Sequence, residues 1–201
     1  MAIHKLEHGH TIEFNEEKHV YIHNNEYVVG MSTLLGKLAS PMLENWKISQ
    51  QVNAIKTEME REGIPIDQIQ KIVTNAKSNA KKSGDNILNI GSMVHKFCEM
   101  WLKGEKFTDP SDPVILSCFE KFKRFWTKHN LKVIESEKVL YSERGFCGTL
   151  DLIAKDSQDN LWLIDIKTSK GLFLNMVHQL HGYKLAYEEQ TGKKINKMYI
   201  V

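Results

Sequence analysis

Two aspartates and a lysine stand inside apolar segments of this chain, where charged side chains are costly. Asp151 occupies one such segment, 148–154, and Asp165 and Lys167 belong to the next. Both segments have the β-branched and aliphatic content that predicts strands, and the polar residues 156–160 between them predict a hairpin loop. Charged groups in such strands need either a partner or a function.

The predicted hairpin places the two aspartates against each other. With a loop over 156–160, Asp151 lies directly across from Asp165 in the antiparallel ladder. Opposed Cβ atoms there are roughly 5 Å apart. At an effective dielectric near 20, two such anions repel each other by roughly 3 kcal/mol. A divalent cation between the carboxylates would turn that repulsion into a binding site.

A lysine beside such a pair suggests chemistry on a phosphate. Because side chains two residues apart share a strand face, Lys167 is expected to point the same way as Asp165. A hard metal with an ammonium group beside it could bind a phosphate and position or deprotonate a water. The alternative is that Asp165 and Lys167 only mark a strand that runs out into solvent. The aspartate at the pairing position, Asp151, favours the site.

A helix upstream carries a candidate metal ligand. The apolar spacing over 86–103 predicts a helix with His95 beside its apolar stripe and Glu99 one turn further on. His95 could be a half-buried histidine that is hydrogen-bonded to Glu99. It could also be a metal ligand, since neutral imidazole is a common one, with Glu99 orienting it.

A second helix is predicted downstream of the lysine. It covers 174–190 and stops before Gly192, which is a favoured residue just past a helix end. Gln179 and Tyr183 are four residues apart, so they share a face of this helix. As a lone tyrosine, Tyr183 would be an amphipathic core residue.

Together these motifs resemble the PD-(D/E)XK nuclease superfamily. Asp151 and Asp165-Ile166-Lys167 resemble its core, while Gly91-x-x-x-His95 and Gln179-x-x-x-Tyr183 resemble its RecB-like branch of phage and recombination exonucleases. The similar region covers about 87–201. The resemblance implies an α/β fold with a restriction-endonuclease-like core, in which helices flank a central mixed β-sheet.

The resemblance also implies a Mg²⁺ or Mn²⁺ site and assigns roles around it. Lys167 would orient or activate the attacking water, and Gln179 and Tyr183 would brace the active site or contact the scissile strand. The implied metal ligands are His95, Asp151, Asp165 and the backbone carbonyl of Ile166.

The activity implied by this resemblance is that of a DNA exonuclease. It would hydrolyse linear DNA to 5′-phosphate products in recombination or repair, with a single-strand-annealing protein or a helicase as a possible partner. One alternative is a structure- or sequence-specific endonuclease of the same fold. Another is a non-catalytic nucleic-acid-binding recombination protein, which the opposed carboxylates disfavour because a binding protein does not need them.

Composition limits the other classes. With 201 residues and 41% hydrophobic content, we expect one domain, with N-terminal strands and a helical elaboration over 1–85 and a catalytic core over 86–201. The sequence contains no run of about eighteen apolar residues, so we expect no membrane span. The polar residues 1–10 do not resemble a signal peptide. An odd number of widely spaced cysteines predicts reduced thiols in a reducing interior. The resemblance implies the cytoplasm of a bacterium or phage-infected host, and three cysteines are too few for the four-cysteine iron–sulfur cluster of some members of that branch, so we expect no cluster. The cysteines are Cys98, Cys118 and Cys147.

The net charge of +2 is small for a nucleic-acid enzyme, but basic residues are clustered. Each cluster is either a solvated helix face or part of a DNA-binding groove around acidic residues. Tyr183 is a further candidate DNA contact. The candidate DNA-binding cluster consists of Lys121, Lys123, Arg124 and Lys128, interleaved with aromatic residues.

The remaining pattern predicts further elements. Alternation over 11–30 with a turn at Asn24-Asn25 predicts a small antiparallel sheet. Glu137 is either an additional acid near the metal or an exposed strand residue, and Val201 ends the chain in mid-strand, by truncation or at a sheet edge. Further helices are predicted from a Ser32 or Thr33 cap, from Ser40-Pro41 to about Glu60, from Asp67 to near Ser83-Gly84, and over 114–128. Further strands are predicted at 132–141, 146–155, 161–167 and 195–201.

Overall fold

The computed structural model describes residues 1–15, 17–36, 41–63, 69–169 and 171–201. Within them it has an α/β fold in which helices flank a mixed, open β-sheet. The strands are β1 Ala2–Lys5, β2 Thr11–Asn15, β3 Val20–His23, β4 Glu26–Gly30, β5 Lys132–Ser142, β6 Phe146–Lys155, β7 Leu161–Asp165 and β8 Lys197–Ile200. The helices are α1 Met31–Gly36, α2 Pro41–Glu62, α3 Ile69–Leu102, α4 Pro113–Lys128 and α5 Leu174–Thr191, with a 3-10 turn at Glu7–Gly9.

Strand β6 is the centre of the sheet. One of its edges pairs antiparallel with β5 along the length of β6. Its other edge is shared, because β4 pairs parallel with its first two residues and β7 pairs antiparallel with its last four. The order along the sheet is β1-β2-β3-β4-β6-β7-β8, and β8 runs parallel to β7.

The N-terminal strands form the predicted antiparallel meander. Asn24 and Asn25 form its turn with φ values of 51° and 64°, a left-handed conformation that asparagine tolerates. Two features differ from the prediction. Strand β1 precedes the predicted strands, and the parallel pairing of Val29 and Gly30 with β6 joins the meander to the main sheet.

The hairpin of β6 and β7 has the predicted register. Leu152 pairs with Ile164, and the ladder continues to Lys155 and Leu161, so the loop is 156–160 as expected. The Asp156 carboxylate rigidifies this loop by accepting hydrogen bonds from its backbone and side chains. Because the loop length and the ladder fix the pairing, the aspartates are brought to adjacent strands.

The end of β7 differs from the prediction. The strand ends at Asp165 rather than continuing to Lys167. The backbone beyond it is still tied to the end of the chain, since Val201 N donates to the Asp165 carbonyl at 3.0 Å and Lys167 N donates to the Val201 carbonyl at 2.9 Å. These bonds tie Asp165 and Lys167 to the residue that follows β8.

Helix α5 covers the core face of the sheet. Its side chains pack against Leu140, Leu150 and Leu163 of three adjacent strands. As predicted, Gly192 follows the helix in a left-handed conformation, with φ 68°, and its N–H caps the Glu188 carbonyl. The buried residues of α5 are Leu180, Tyr183, Ala186, Tyr187 and Gln190.

Two predicted helix boundaries are wrong. Ser32 and Thr33 lie inside α1, which begins directly after β4 and leaves no room for a separate cap. The residues Ser83-Gly84 lie inside the continuous helix α3, where a helix end was expected. One interior glycine costs about 1 kcal/mol relative to alanine, which is too little to end a long helix.

Other boundaries agree with the sequence. Helix α2 begins at Pro41 as predicted, and Gly63 follows its end with φ 55°. Helix α4 begins at Pro113, where the Asp112 carboxylate accepts hydrogen bonds from two backbone N–H groups of the first turn. The predicted start points at Ser40 and Asp67 lie outside the described residues.

The described residues fall into two compact units. One comprises Met1–Leu38 and Val94–Val201, and the other comprises Ala39–Met93. The first unit contains the whole sheet and every residue of the candidate site. Among the described helices, none has both the length and the apolar character needed to cross a lipid bilayer.

Candidate metal centre

The most unusual group in the sheet is the carboxylate of Asp165. The residue is 1% exposed, and among the described residues its Oδ1 has no hydrogen-bond partner. Its Oδ2 lies 2.6 Å from Nζ of Lys167, which is an ion-pair contact. Burial, and then the nearby charge of Asp151, raise the pKa of this carboxyl from 3.8 to about 6. A buried acid in this state needs either a proton or a cation.

The second carboxylate, that of Asp151 on β6, is held in place by the backbone directly after β7. Asp151 Oδ2 accepts a hydrogen bond of 2.6 Å from the N–H of Ile166. This bond replaces a ladder pair between Asp151 and Asp165, because the regular pairing stops at Leu152 and Ile164. The Asp151 side chain is 12% exposed, so this carboxylate is open to solvent on one side.

His95 of α3 lies beside Asp151, and its ring is held by a contact that the sequence does not reveal. Its Nε2 lies 2.9 Å from the carbonyl oxygen of Ile166. A carbonyl can only accept, so Nε2 carries the proton and Nδ1 keeps its lone pair in the neutral ring. Nδ1 lies 3.8 Å from Asp151 Oδ2, which leaves two electron-pair donors facing the same space.

The role considered for Glu99 is wrong. Its carboxylate forms an ion pair of 2.6 Å with Lys103, one turn along α3, instead of a contact with His95. The His95 ring is instead oriented by the Ile166 carbonyl. A lysine at i+4 is a direct competitor for a helical glutamate, which explains the difference.

Glu137 is the residue that sequence reasoning undervalued. One ligand atom each from His95, Glu137 and Asp151 lie within 4.8 Å of one another. Glu137 is exposed and is also part of the cluster. It faces Asp151 in the ladder of β5 and β6, between the pairs formed by its two neighbours. Pairing the predicted strands 132–141 and 146–155 as a hairpin is the step that could have placed Glu137 opposite Asp151.

The backbone at Glu137 is strained. Its φ is 49°, a left-handed value that is uncommon for glutamate in a strand. In a regular strand residues three apart face opposite sides, but Glu135 and Lys138 both contact the Tyr187 side chain. The left-handed residue between them produces this reversal, and such strain concentrates at functional sites.

The donor set fits a hard divalent cation. Carboxylate and carbonyl oxygens suit Mg²⁺ and Mn²⁺, and a single imidazole is compatible with Mn²⁺. The buried Oδ1 of Asp165, which lacks a hydrogen-bond donor among the described residues, is the observation that most favours a cation here. The residues that could hold it are His95, Asp151, Asp165, the Ile166 carbonyl and Glu137.

The Gln-x-x-x-Tyr motif lies behind the site rather than at its surface. Tyr183 is 4% exposed, and Gln179 Nε2 donates a hydrogen bond of 2.8 Å to its hydroxyl. Burial raises the pKa of Tyr183. Its ring lies against the backbone of Gly148, three residues before Asp151, so closely that a Cβ at that position would collide with it. This placement corresponds to a brace for β6.

The basic cluster of α4 divides into two kinds of residue. Lys121, Arg124 and Lys128 are exposed and recur at helical spacing. Lys123 is engaged within the helix, because its Nζ lies 2.5 Å from Glu120 and 4.6 Å from the centroid of the Phe119 ring. The structure therefore presents three of these side chains to solvent.

Comparison with known proteins adds no identification. No protein-family model matches the sequence, and no curated protein is similar enough to count as a match. Functional inference for this chain therefore depends on its own residues and their geometry.

Proposed function

We propose that this protein is a Mg²⁺- or Mn²⁺-dependent deoxyribonuclease of the RecB-like PD-(D/E)XK type, acting as an exonuclease on linear DNA. The observation that carries the proposal is the buried Asp165 carboxylate. Its Oδ1 lacks a hydrogen-bond donor among the described residues, its Oδ2 contacts the Lys167 ammonium group, and an acid and an imidazole lie nearby. Such an arrangement is costly for folding and is useful for binding a cation next to a phosphodiester.

The ligand residues have distinct tasks in this proposal. When bound, a divalent cation neutralises phosphate charge and lowers the pKa of a water. Asp165 and Asp151 supply the negative charge that binds the cation. Ile166 contributes twice, since its N–H fixes Asp151 and its carbonyl orients His95.

Lys167 is the positively charged side chain that the protein contributes to the site. Its Nζ is held 2.6 Å from Asp165, at the edge of the cluster. There its protons can hydrogen-bond the attacking water and a phosphate oxygen on which charge develops. Gln179 and Tyr183 act through β6, which they hold from behind.

A nuclease assay tests the proposal. Linear and covalently closed circular DNA, single- and double-stranded, are incubated with Mg²⁺ or with chelator. We expect degradation of linear DNA only, abolished by chelator and lowered at least about 100-fold by Lys167→Ala. Lys155→Ala is the matched control, because this lysine lies on β6 and is paired with Asp159.

Other outcomes would contradict the proposal in defined ways. Cutting of closed circles would indicate an endonuclease of the same fold. Binding of DNA without any turnover would indicate a non-catalytic nucleic-acid-binding protein. Equal loss of activity in Lys155→Ala and Lys167→Ala would show that the lysine effect is not specific to the site.

A further inference from the structure

Four aromatic rings meet on the face of the sheet that contacts α4. Trp162 of β7 and Tyr199 of β8 are stacked, with their centroids 4.8 Å apart and an interplanar angle of 15°. Phe125 and His129 of α4 lie beside this stack, with their centroids 5.5 Å and 6.0 Å from that of Tyr199. These four rings form an aromatic platform between α4 and the strands β7 and β8.

Tyr199 is the exposed end of the aromatic platform. It is 38% exposed, whereas Trp162 next to it is 2% exposed. The Trp162 ring is also covered by Lys197, whose Nζ lies 4.5 Å from the ring centroid. Tyr199 is therefore held by a fixed stacking partner and is itself partly open to solvent, which suits it to contact a further planar group.

Basic side chains border the platform on α4. Lys121 and Lys128 are exposed and lie four residues before and three residues after Phe125. Residues at these spacings share a helix face, so both lysines lie beside the rings. Neither lysine forms an ion pair with a described residue. Both ammonium groups are therefore available to the phosphates of a nucleic acid.

The acid next to the platform has its charge compensated within the protein. Asp156, in the loop between β6 and β7, accepts a hydrogen bond of 2.9 Å from Trp162 Nε1 and one of 3.0 Å from Lys197 Nζ. The exposed charges beside the rings are therefore the positive ones of Lys121 and Lys128. A ligand that combines a planar ring with negative charge fits this surface.

The platform lies close to the metal centre along the sheet but on the other face. Ile200, the residue after Tyr199, pairs with Asp165 in the ladder of β7 and β8. Because successive side chains of a strand alternate, Tyr199 and Asp165 point to opposite faces. The contacts agree, since Ile200 packs against the core under α5 and Tyr199 contacts α4. A base on the platform therefore belongs to a nucleotide other than the one that is cut.

We infer that this platform binds single-stranded DNA, with an unpaired base stacked on Tyr199 and neighbouring phosphates at Lys121 and Lys128. The inference rests on the proposed nuclease function for its ligand class, DNA. Single-strand sites combine basic residues that follow the backbone with aromatic rings on which bases stack. In a closed duplex the faces of each base are covered by its neighbours. Stacking on Tyr199 therefore selects for an unpaired base and not for a sequence.

Binding to DNA with and without accessible bases tests this inference. Fluorescence anisotropy, with Ca²⁺ in place of Mg²⁺, compares a single strand, the same strand built from abasic nucleotides, and a duplex whose ends are closed by non-nucleotide linkers. We expect the wild type to bind the intact single strand about tenfold more tightly than the abasic strand. Tyr199→Leu should weaken binding of the intact single strand about tenfold and leave binding of the other two unchanged.

Three more variants make the result specific. Tyr199→Phe keeps the ring and should bind as the wild type does. Tyr27→Leu removes an 82% exposed aromatic residue of β4 outside the platform and should also behave as the wild type. Lys121→Gln should reduce the slope of log K against log salt, whereas Tyr199→Leu should leave it unchanged because it removes no charge. Thermal melting confirms that each variant is folded.

A measurement on the wild type does not depend on the folding of any variant. Single-stranded DNA that contains 5-iodouracil is cross-linked to the protein by ultraviolet light, and the modified peptides are identified by mass spectrometry. We expect a cross-link in the peptide that contains Tyr199. Cross-links confined to other peptides would contradict the inference.

The outcomes separate this inference from the nuclease proposal. If the wild type cleaves DNA but Tyr199→Leu weakens binding equally on intact and abasic strands, or on neither, the base-binding platform is contradicted and the nuclease proposal stands. If single-stranded DNA binds through Tyr199 but no DNA is cleaved in Mg²⁺, the nuclease proposal fails and the platform is confirmed as a DNA-binding surface. If the wild type binds no single-stranded DNA, the platform is contradicted whatever the nuclease assay shows.

Discussion

At the scale of single residues, the carboxyl of Asp165 couples the stability of the protein to pH. Burial and the charge of Asp151 raise its pKa from 3.8 to about 6 in the folded state. The difference corresponds to about 3 kcal/mol for carrying the charge without a cation. For an acid with a raised pKa, the folded state is favoured at low pH, and this contribution is lost as the pH rises through about 6.

We therefore expect the cation-free wild type to lose stability between about pH 4 and pH 6.5 relative to Asp165→Asn. Asparagine has nearly the same shape and carries no charge, so it removes this titration. Urea denaturation in chelator at several pH values measures the difference in the free energy of unfolding. A constant difference across this range would contradict the assignment.

Glu137 allows stability and activity to be separated. Its left-handed φ of 49° is strained for glutamate and is tolerated better by asparagine or glycine. We expect Glu137→Asn to raise the free energy of unfolding by about 1 kcal/mol, through relief of strain. The same change should lower nuclease activity and weaken Mn²⁺ binding.

A purely structural role for Glu137 gives a different result. In that case Glu137→Asn would leave Mn²⁺ affinity unchanged, as measured by isothermal titration calorimetry. Glu26→Asn, at an exposed position on β4, serves as the control for loss of one surface acid.

How much of the site the sequence predicts differs from residue to residue. The register of β6 against β7, which brings Asp151 and Asp165 to adjacent strands although they do not form a ladder pair, was predictable because a five-residue loop between two apolar strands leaves few registers. The place of Glu137 in the site depends on its own left-handed conformation, which breaks the alternation of side chains along β5. The hydrophobic periodicity of the sequence does not reveal this break. The actual partner of His95 is the backbone carbonyl of Ile166, directly after β7, which no side-chain motif encodes.

At the scale of elements, the close contact between α5 and β6 requires a glycine at position 148. An added Cβ at Gly148 would collide with the Tyr183 ring, which is buried and braced by Gln179. We expect Gly148→Ala to lower the free energy of unfolding by about 1–3 kcal/mol, because the ring has no free space into which to move. Activity should fall with it, since β6 carries Asp151.

Gly182, inside α5, provides the matched comparison for the glycine-to-alanine change. A Cβ there would meet the end of the flexible Met31 side chain, which can adopt another rotamer. Alanine also favours a helix interior by about 1 kcal/mol over glycine. Gly182→Ala should therefore be neutral or stabilising in urea denaturation, and equal destabilisation by both changes would contradict the packing argument.

Helix α4 offers a test of DNA contact by salt dependence. Each exposed basic residue that neutralises one phosphate contributes about 0.7–0.9 to the slope of log K against log salt. We expect Lys121→Gln, Arg124→Gln and Lys128→Gln each to reduce this slope, measured by fluorescence anisotropy with Ca²⁺ in place of Mg²⁺. Lys123→Gln should have less effect, because this lysine is paired with Glu120.

If the α4 surface is only a solvated helix face, the result is different. None of the four substitutions would then change the slope, although DNA binding itself would persist. A slope change for Lys123→Gln as large as for Lys121→Gln would show that the ion pair with Glu120 opens when DNA binds.

Element boundaries show where sequence patterns stop being informative. The strands of the central hairpin and the end of α5 at Gly192 follow from strong local signals. The continuity of α3 through Ser83-Gly84 does not, because the cost of one glycine is small against many helical hydrogen bonds. Strand β1 is too short and too polar to be predicted without its partner β2.

At the scale of the whole molecule, the candidate site is assembled from segments that are far apart in sequence. His95 comes from α3, Asp151 and Glu137 from the β5–β6 hairpin, and Asp165 from β7. The α/β class was predictable from the order of strands and helices. The joining of the meander to β6 through two residue pairs was not, because it is a non-local contact with no sequence pattern.

Because these segments meet only in the folded chain, a cation that binds them should stabilise the fold as a whole. Linkage predicts a gain of about 2.7 kcal/mol at a cation concentration 100 times Kd. This gain should be absent in a protein that lacks both Asp151 and Asp165 carboxylates. The central claim is therefore that these two carboxylates share one divalent ion.

The most direct measurement is a crystal structure of the wild type grown with Mn²⁺, with anomalous diffraction recorded to locate the ion. We predict one strong anomalous peak within coordination distance of Asp151, Asp165, the Ile166 carbonyl and His95, and its loss in Asp165→Asn. A peak located elsewhere, or no peak between the two carboxylates at millimolar Mn²⁺, would contradict the account.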